Sequence, residues 1–73
     1  MHSTEEYEYK LRNQVVAALN DGSTPADLVM MLTHLDRQST NKRIEAVLHN
    51  TRKTTVLSSA HAATVADAIG LVV

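Results

Sequence analysis

The chain contains no cysteine, tryptophan or phenylalanine, and only two tyrosines, two glycines and one proline among its 73 residues. Without cysteine it can form no disulfide, thiolate metal site or cysteine nucleophile, which is typical of a protein of the reducing cytoplasm. A domain of this size buries only about 60% of the surface that its unfolded chain exposes. Its single core must therefore be built from Leu, Val, Ile, Ala and Met, and a core of this composition favours packed helices.

Long apolar runs are also missing. The run from Leu28 to Leu32, for example, is far shorter than the roughly 20 residues that a membrane-spanning helix requires. The acidic pair Glu5-Glu6 near the N-terminus is the opposite of the basic opening of a signal peptide. These features predict a soluble cytoplasmic protein that has no membrane partner.

Motifs of enzyme chemistry are scarce. With two glycines the chain has no glycine-rich phosphate loop and no nucleophile elbow. A catalytic triad can assemble across a fold, but a small helical bundle offers little room for a pocket of about 300 Å³. We predict a non-enzymatic protein without a metal, cofactor or small-molecule substrate. The four histidines lie in separate segments, without the i, i+4 spacing of a helical metal site: His2, His34, His49 and His61.

Apolar spacing and capping residues predict an all-α fold, a small bundle of three to four helices near residues 3–20, 25–35, 40–50 and 59–69. A capping box of Ser3 and Glu6 starts the first helix, and Gly22 is placed as its left-handed cap. Thr24 caps the second helix ahead of a proline and Asp27. The predicted inward stripes of these two helices are Tyr7, Leu11, Val15, Ala18 and Leu19, and Leu28, Met31, Leu32 and Leu35.

Capping residues and apolar spacing also predict the two helices of the second half of the chain. Ser39 or Thr40 caps the third helix, the stretch "TRKTTVLSS" of residues 51–59 forms a connector, and Ser58 or Ser59 caps the fourth helix. Gly70 is predicted to stop the fourth helix, and the apolar tail 71–73 to fold back onto the bundle or to meet a partner. The inward stripes are Ile44, Val47 and Leu48, and then Ala62, Val65, Ala66 and Ile69.

Charge is divided along the chain although its total is only −1. Residues 1–36 carry six acids against two bases, whereas residues 37–53 carry five bases against Glu45. Such a separation can steer association with a charged partner. The basic residues of the second segment are Arg37, Lys42, Arg43, Arg52 and Lys53.

The second and third helices partly resemble a DNA-binding helix-turn-helix. In that plan the N-terminal residues of the second helix of the pair, here residues 39–43, reach the bases of the major groove. Asn and Arg can read adenine and guanine. Against this reading, Val29 stands where a small residue is common, and the turn "THLDRQ" is long and lacks glycine. The alternative is that the five basic residues of segment 37–53 form the solvent-exposed side of the bundle.

Protein contact is the third interpretation of these residues. Met30 and Met31 lie on a helix that is more apolar than one buried face requires, and flexible thioethers suit partner surfaces. Tyr9 points away from the stripe of Tyr7 and can serve as an interface anchor. We therefore predict partner-binding residues Tyr9, Met30, Met31, Arg37, Lys42, Arg43, Arg52 and Lys53.

In its size, lack of cysteine, helical plan and separated charge, the chain resembles the small phage-encoded transcription regulators of the Xanthomonas lytic phage type. The resemblance implies binding to host bacterial RNA polymerase through the N-terminal segment of its largest subunit. It also implies loss of the sigma factor at initiation, antitermination later, and residence in the host cytoplasm. No motif carries the resemblance, so it assigns no individual residue. A DNA-binding regulator and an antitoxin or other defence inhibitor remain as alternatives.

Overall fold

A computed structural model describes residues 4–35 and 40–73, which contain four α-helices and no strand. In chain order they are α1 (Thr4–Asn20), α2 (Pro25–Leu35), α3 (Asn41–Thr54) and α4 (Ser59–Val72). The predicted all-α bundle is confirmed. Ser3, proposed as the first cap, and Arg37 with the other residues of the segment 36–39 lie outside the described residues.

Residues with short polar side chains begin the helices where the sequence places them. At the start of α2, the Asp27 amide donates to Thr24 Oγ1 and the Thr24 amide donates to an Asp27 carboxylate oxygen, both at 3.1 Å. This reciprocal pair satisfies two amides that the helix itself leaves without acceptors. Thr40 caps α3 and Ser58 caps α4, so the structure selects one residue from each predicted pair.

Gly22 ends α1 in a Schellman motif. The Ser23 amide donates to the Ala18 carbonyl, the Gly22 amide donates to the Leu19 carbonyl, and Gly22 has a φ of 85°. Only glycine adopts that backbone conformation without steric cost. The prediction of a left-handed cap is confirmed, and it fixes the reversal between α1 and α2.

The core is one aliphatic cluster to which all four helices contribute. Both α2 and α3 pack chiefly against α4, α1 packs mainly against α3, and α2 touches α3 only slightly. Met31 and Ala18 are only partly buried against this cluster, and so is Val29. The buried apolar residues are Leu11, Val15, Leu19, Leu28, Leu32, Ile44, Val47, Leu48, Val65, Ala68, Ile69 and Val72.

The predicted end of α3 near Asn50 is wrong, because the helix continues to Thr54. Thr51 is fully buried and extends the apolar stripe of α3 by one more turn. Its hydroxyl donates to the Val47 carbonyl at 2.9 Å, and the Thr54 hydroxyl donates to the Asn50 carbonyl at 2.8 Å. The first of these bonds gives the buried Thr51 hydroxyl a hydrogen-bond partner, and the connector shrinks to residues 55–58.

Gly70 does not stop α4, which is the second correction to a helix end. Continuing through a glycine costs about 1 kcal/mol relative to alanine. The extra turn buries Val72, and burial of a valine side chain stabilises the fold by roughly 1.5–3 kcal/mol. Leu71 and Val73 remain exposed, so only one of the three tail residues joins the core.

Three predicted inward positions also need correction. Tyr7 at the start of α1 and Leu35 at the end of α2 are 38% and 45% exposed, because each lies at a helix end beyond the centre of the core. Ala66 is exposed, and Ala68 takes its place on the buried face of α4. The remaining members of the four predicted stripes are buried or partly buried.

We expect opposite effects from alanine at the two glycines. Gly22→Ala should lower the free energy of unfolding by about 1–2 kcal/mol, because an L side chain disfavours the left-handed region. Gly70→Ala should raise it by about 0.5–1 kcal/mol, because a β-carbon there meets no atom within 4 Å and alanine favours helix. Urea unfolding followed by circular dichroism measures both, and equal shifts for the two variants would contradict this account.

Candidate functional surface

The contact between α1 and α3 joins two clusters of polar and aromatic side chains. The first cluster consists of Tyr7, Glu8 and Arg43. Arg43 Nη2 lies 3.1 Å from Glu8 Oε1, and the Arg43 guanidinium carbon lies 5.3 Å from the centre of the Tyr7 ring. The acidic helix and the basic helix of the sequence thus meet directly, so part of the divided charge is neutralised inside the chain.

The second cluster consists of Tyr9, Arg12 and Thr54. The Arg12 guanidinium carbon stands 4.6 Å from the centre of the Tyr9 ring, and Arg12 Nη1 donates to Thr54 Oγ1 at 2.8 Å. The Thr54 hydroxyl is itself fixed, because it donates to the Asn50 carbonyl. A chain of contacts therefore runs from the α3 backbone to an aromatic ring on α1. The Tyr9 side chain remains 57% exposed.

Helical geometry explains why these two clusters face the same side. Arg43 and Thr54 are about three turns apart on α3, which returns them to nearly the same direction. On α1, Tyr9 and Arg12 have the i, i+3 spacing of neighbours on a helix surface. The prediction that Tyr9 points outward is consistent with its exposure, whereas Arg12 and Thr54 were not predicted as site residues.

The structure separates the predicted basic residues instead of gathering them. Arg43 faces α1, whereas Lys42 and Lys53 project from the solvent side of α3, nearly in line and about 16 Å apart along the axis. Arg52 is exposed and turned about 100° from Lys53. Within residues 4–35 and 40–73, neither lysine forms an ion pair.

The two methionines lie on another part of the bundle. Met30 is 59% exposed, whereas Met31 is partly buried against the core. The sequence left open whether α2 is buried on two sides or exposed to a partner. Val29 packs against the core and Met30 faces solvent, so the exposed part of α2 combines apolar Met30 with polar residues such as Thr33 and His34.

His34 and His49 form local contacts, whereas His2 lies outside the described residues. His49 Nε2 lies 3.5 Å from a Glu45 carboxylate oxygen one turn earlier, and His34 Nδ1 lies 2.8 Å from the Met30 carbonyl. Among the described residues, no three His, Asp or Glu side chains are grouped closely enough to hold a metal ion. In the same part of the chain, no helix is both long and apolar enough to cross a bilayer.

The pairing of Glu8 with Arg43 should have a small, measurable energy. Both side chains are about one-third exposed, so a double-mutant cycle of Glu8→Gln and Arg43→Gln should give a coupling energy below about 1 kcal/mol. Salt at 1 M should reduce it further. Lys42→Gln is the matched control, since it removes a charge from the neighbouring position. Equal coupling of Glu8 to Lys42 would contradict the assigned contact.

Comparison with known proteins returned no match: no family model, curated protein or solved structure is significantly similar to the chain.

Proposed function

We propose that the chain is a non-enzymatic regulator that acts by binding a protein partner, and that its contact surface is centred on Tyr9. The observation that carries this proposal is the exposed Tyr9 ring held by Arg12, which is itself bonded to α3. Tyrosine and arginine are enriched among the residues that dominate interface energies. A ring already fixed in one orientation loses little conformational freedom on binding.

Bacterial RNA polymerase is the partner that we propose, on the basis of the family resemblance. In this proposal the chain binds the N-terminal segment of the largest subunit, displaces the sigma factor at initiation and favours antitermination during elongation. A small protein can act in this way by binding one conformation of a large enzyme complex more tightly than another. A difference of about 1.4 kcal/mol in binding free energy already changes the ratio of the two states tenfold.

The size of the molecule agrees with a single interface. A partner surface of standard size buries about 800 Å² on each side. That is roughly one-sixth of the 4903 Å² accessible surface of the chain. An interface of that size covers only part of the bundle, so Tyr9 on α1 and Met30 on α2 deserve separate tests.

Tyr9→Ala should lower capture of RNA polymerase from a bacterial lysate by at least about tenfold, because removal of a central aromatic anchor costs about 2 kcal/mol or more. Tyr9→Phe keeps the ring and is the matched control, with capture close to that of the parent chain. Quantitative immunoblotting after nuclease treatment measures capture, and circular dichroism verifies the helices. Undiminished capture by a folded Tyr9→Ala variant would reject this surface.

Met30→Asp tests the apolar contact that the sequence suggests for α2. Because Met30 is exposed, the substitution should leave the helical circular-dichroism spectrum intact. If the partner also covers α2, capture should fall severalfold, because the new carboxylate would be desolvated in the interface. Met31→Asp is unsuitable for comparison, since Met31 packs against the core. Unchanged capture by Met30→Asp would remove α2 from the proposed interface.

DNA binding is the second candidate function, and the exposure of Asn41 and Lys42 at the start of α3 favours it. Arg43, the residue expected to read guanine, instead contacts Glu8. DNA binding through several phosphates weakens steeply with salt, whereas a mixed protein interface weakens less. Capture at two salt concentrations, with and without nuclease, separates the two functions.

A further inference from the structure

We infer that Arg12 is a receptor for a carboxylate side chain of an acidic polypeptide segment, with the Tyr9 ring beside it and Lys53 as a flanking cation. The inference rests on the proposed protein-binding function and names the chemistry that the surface recognises. It assigns the central polar contact to a residue outside the basic segment 37–53. It also commits the surface to a polypeptide ligand.

The Arg12 guanidinium has N–H donors that its contacts within the described chain do not use. A guanidinium carries five N–H donors in a planar fork that matches a carboxylate. Arg12 donates from Nη1 to Thr54 Oγ1 and lies against the Tyr9 ring, and it forms no ion pair within the described part of the chain. The guanidinium is thus held in one place while other donors remain available.

Arg12 differs from Arg43 in the group that its guanidinium contacts. Both arginines stand near a tyrosine ring at the α1–α3 contact, but Arg43 already faces the Glu8 carboxylate at 3.1 Å. The group that accepts a hydrogen bond from Arg12 is instead a neutral one, the Thr54 hydroxyl. The chain therefore contains two arginines at this contact, Arg43 with a carboxylate partner and Arg12 without one among the described residues.

The charge around Arg12 comes from both helices, and on α1 the Glu8 carboxylate one turn earlier is already paired with Arg43. Lys53 directly precedes Thr54 and is exposed without an ion pair among the described residues, but it is turned about 100° from Thr54 toward solvent, so it flanks the Arg12 site and is not part of the α1–α3 contact. Arg52 is turned about 200° from Thr54 around α3 and does not belong to this site. One fork-shaped donor and one point charge beside an aromatic ring suit a short acidic segment better than a regular row of phosphates.

Titration of the ¹⁵N-labelled full chain tests the inference. The probe is a ten-residue, end-blocked peptide of alternating Glu and Ser, and the same peptide with Gln in place of Glu is the neutral control. We expect the Glu peptide to shift the Arg12 Nε–H signal and the amide signals of Tyr9 and Thr54, with affinity at least about fivefold above that of the Gln peptide.

Three variants locate the binding. Arg12→Gln should lower affinity for the Glu peptide at least about fivefold, and Arg12→Lys should lower it about threefold, because lysine keeps the charge but loses the fork. Lys10→Gln removes the same charge from an exposed residue on the opposite side of α1 and should have little effect. Circular dichroism verifies that each variant is folded.

Several outcomes would overturn the inference. Equal affinity for the Glu and Gln peptides, equal losses for Arg12→Gln and Lys10→Gln, or signal shifts confined to other helices would each do so. Tighter binding of a 12-base-pair duplex than of the Glu peptide, through the same signals, would assign the site to nucleic acid. If the Glu peptide binds at Arg12 but polymerase is not captured, the assignment of Arg12 as a carboxylate receptor is supported and the proposed function is rejected. If Arg12→Gln captures polymerase as well as the parent chain, the proposed function stands without this contact.

Discussion

The packing of α3 between α1 and α4 is the constraint on which the rest of the structure depends. Its apolar stripe fills the centre of a core that has neither a disulfide nor a large aromatic side chain. Burial of Thr51 adds one more turn to that stripe and so carries α3 as far as Thr54. Once α3 is fixed this way, Arg43 and Thr54 must face α1, while Lys42 and Lys53 must face solvent.

Much of the fold could be predicted from local chemistry, because its signals lie within a few residues of each other. Thr24, Thr40 and Ser58 cap helices as expected, and Gly22 has the expected left-handed conformation. The errors fall where tertiary burial outweighs local preference. Burial of Thr51 and of Val72 extends α3 and α4 beyond their weak local stop signals.

The candidate surface was less predictable than the fold. A run of basic residues in a sequence suggests one charged patch, but helical rotation divides it, and Glu8 neutralises Arg43. The spacing of Tyr9 and Arg12 was a usable signal, since i, i+3 neighbours on a helix touch. The role of Thr54 could not be found, because it depends on both the length of α3 and its packing against α1.

The two tyrosines have a consequence for how the molecule can be observed. The chain has no tryptophan, so Tyr7 and Tyr9 are its only strong ultraviolet fluorophores. Each ring lies against an arginine that belongs to the α1–α3 contact. The intrinsic emission of the protein therefore originates entirely at this junction. Emission and far-ultraviolet circular dichroism, followed together, would distinguish local separation of α1 from α3 from loss of the whole fold, without any added label.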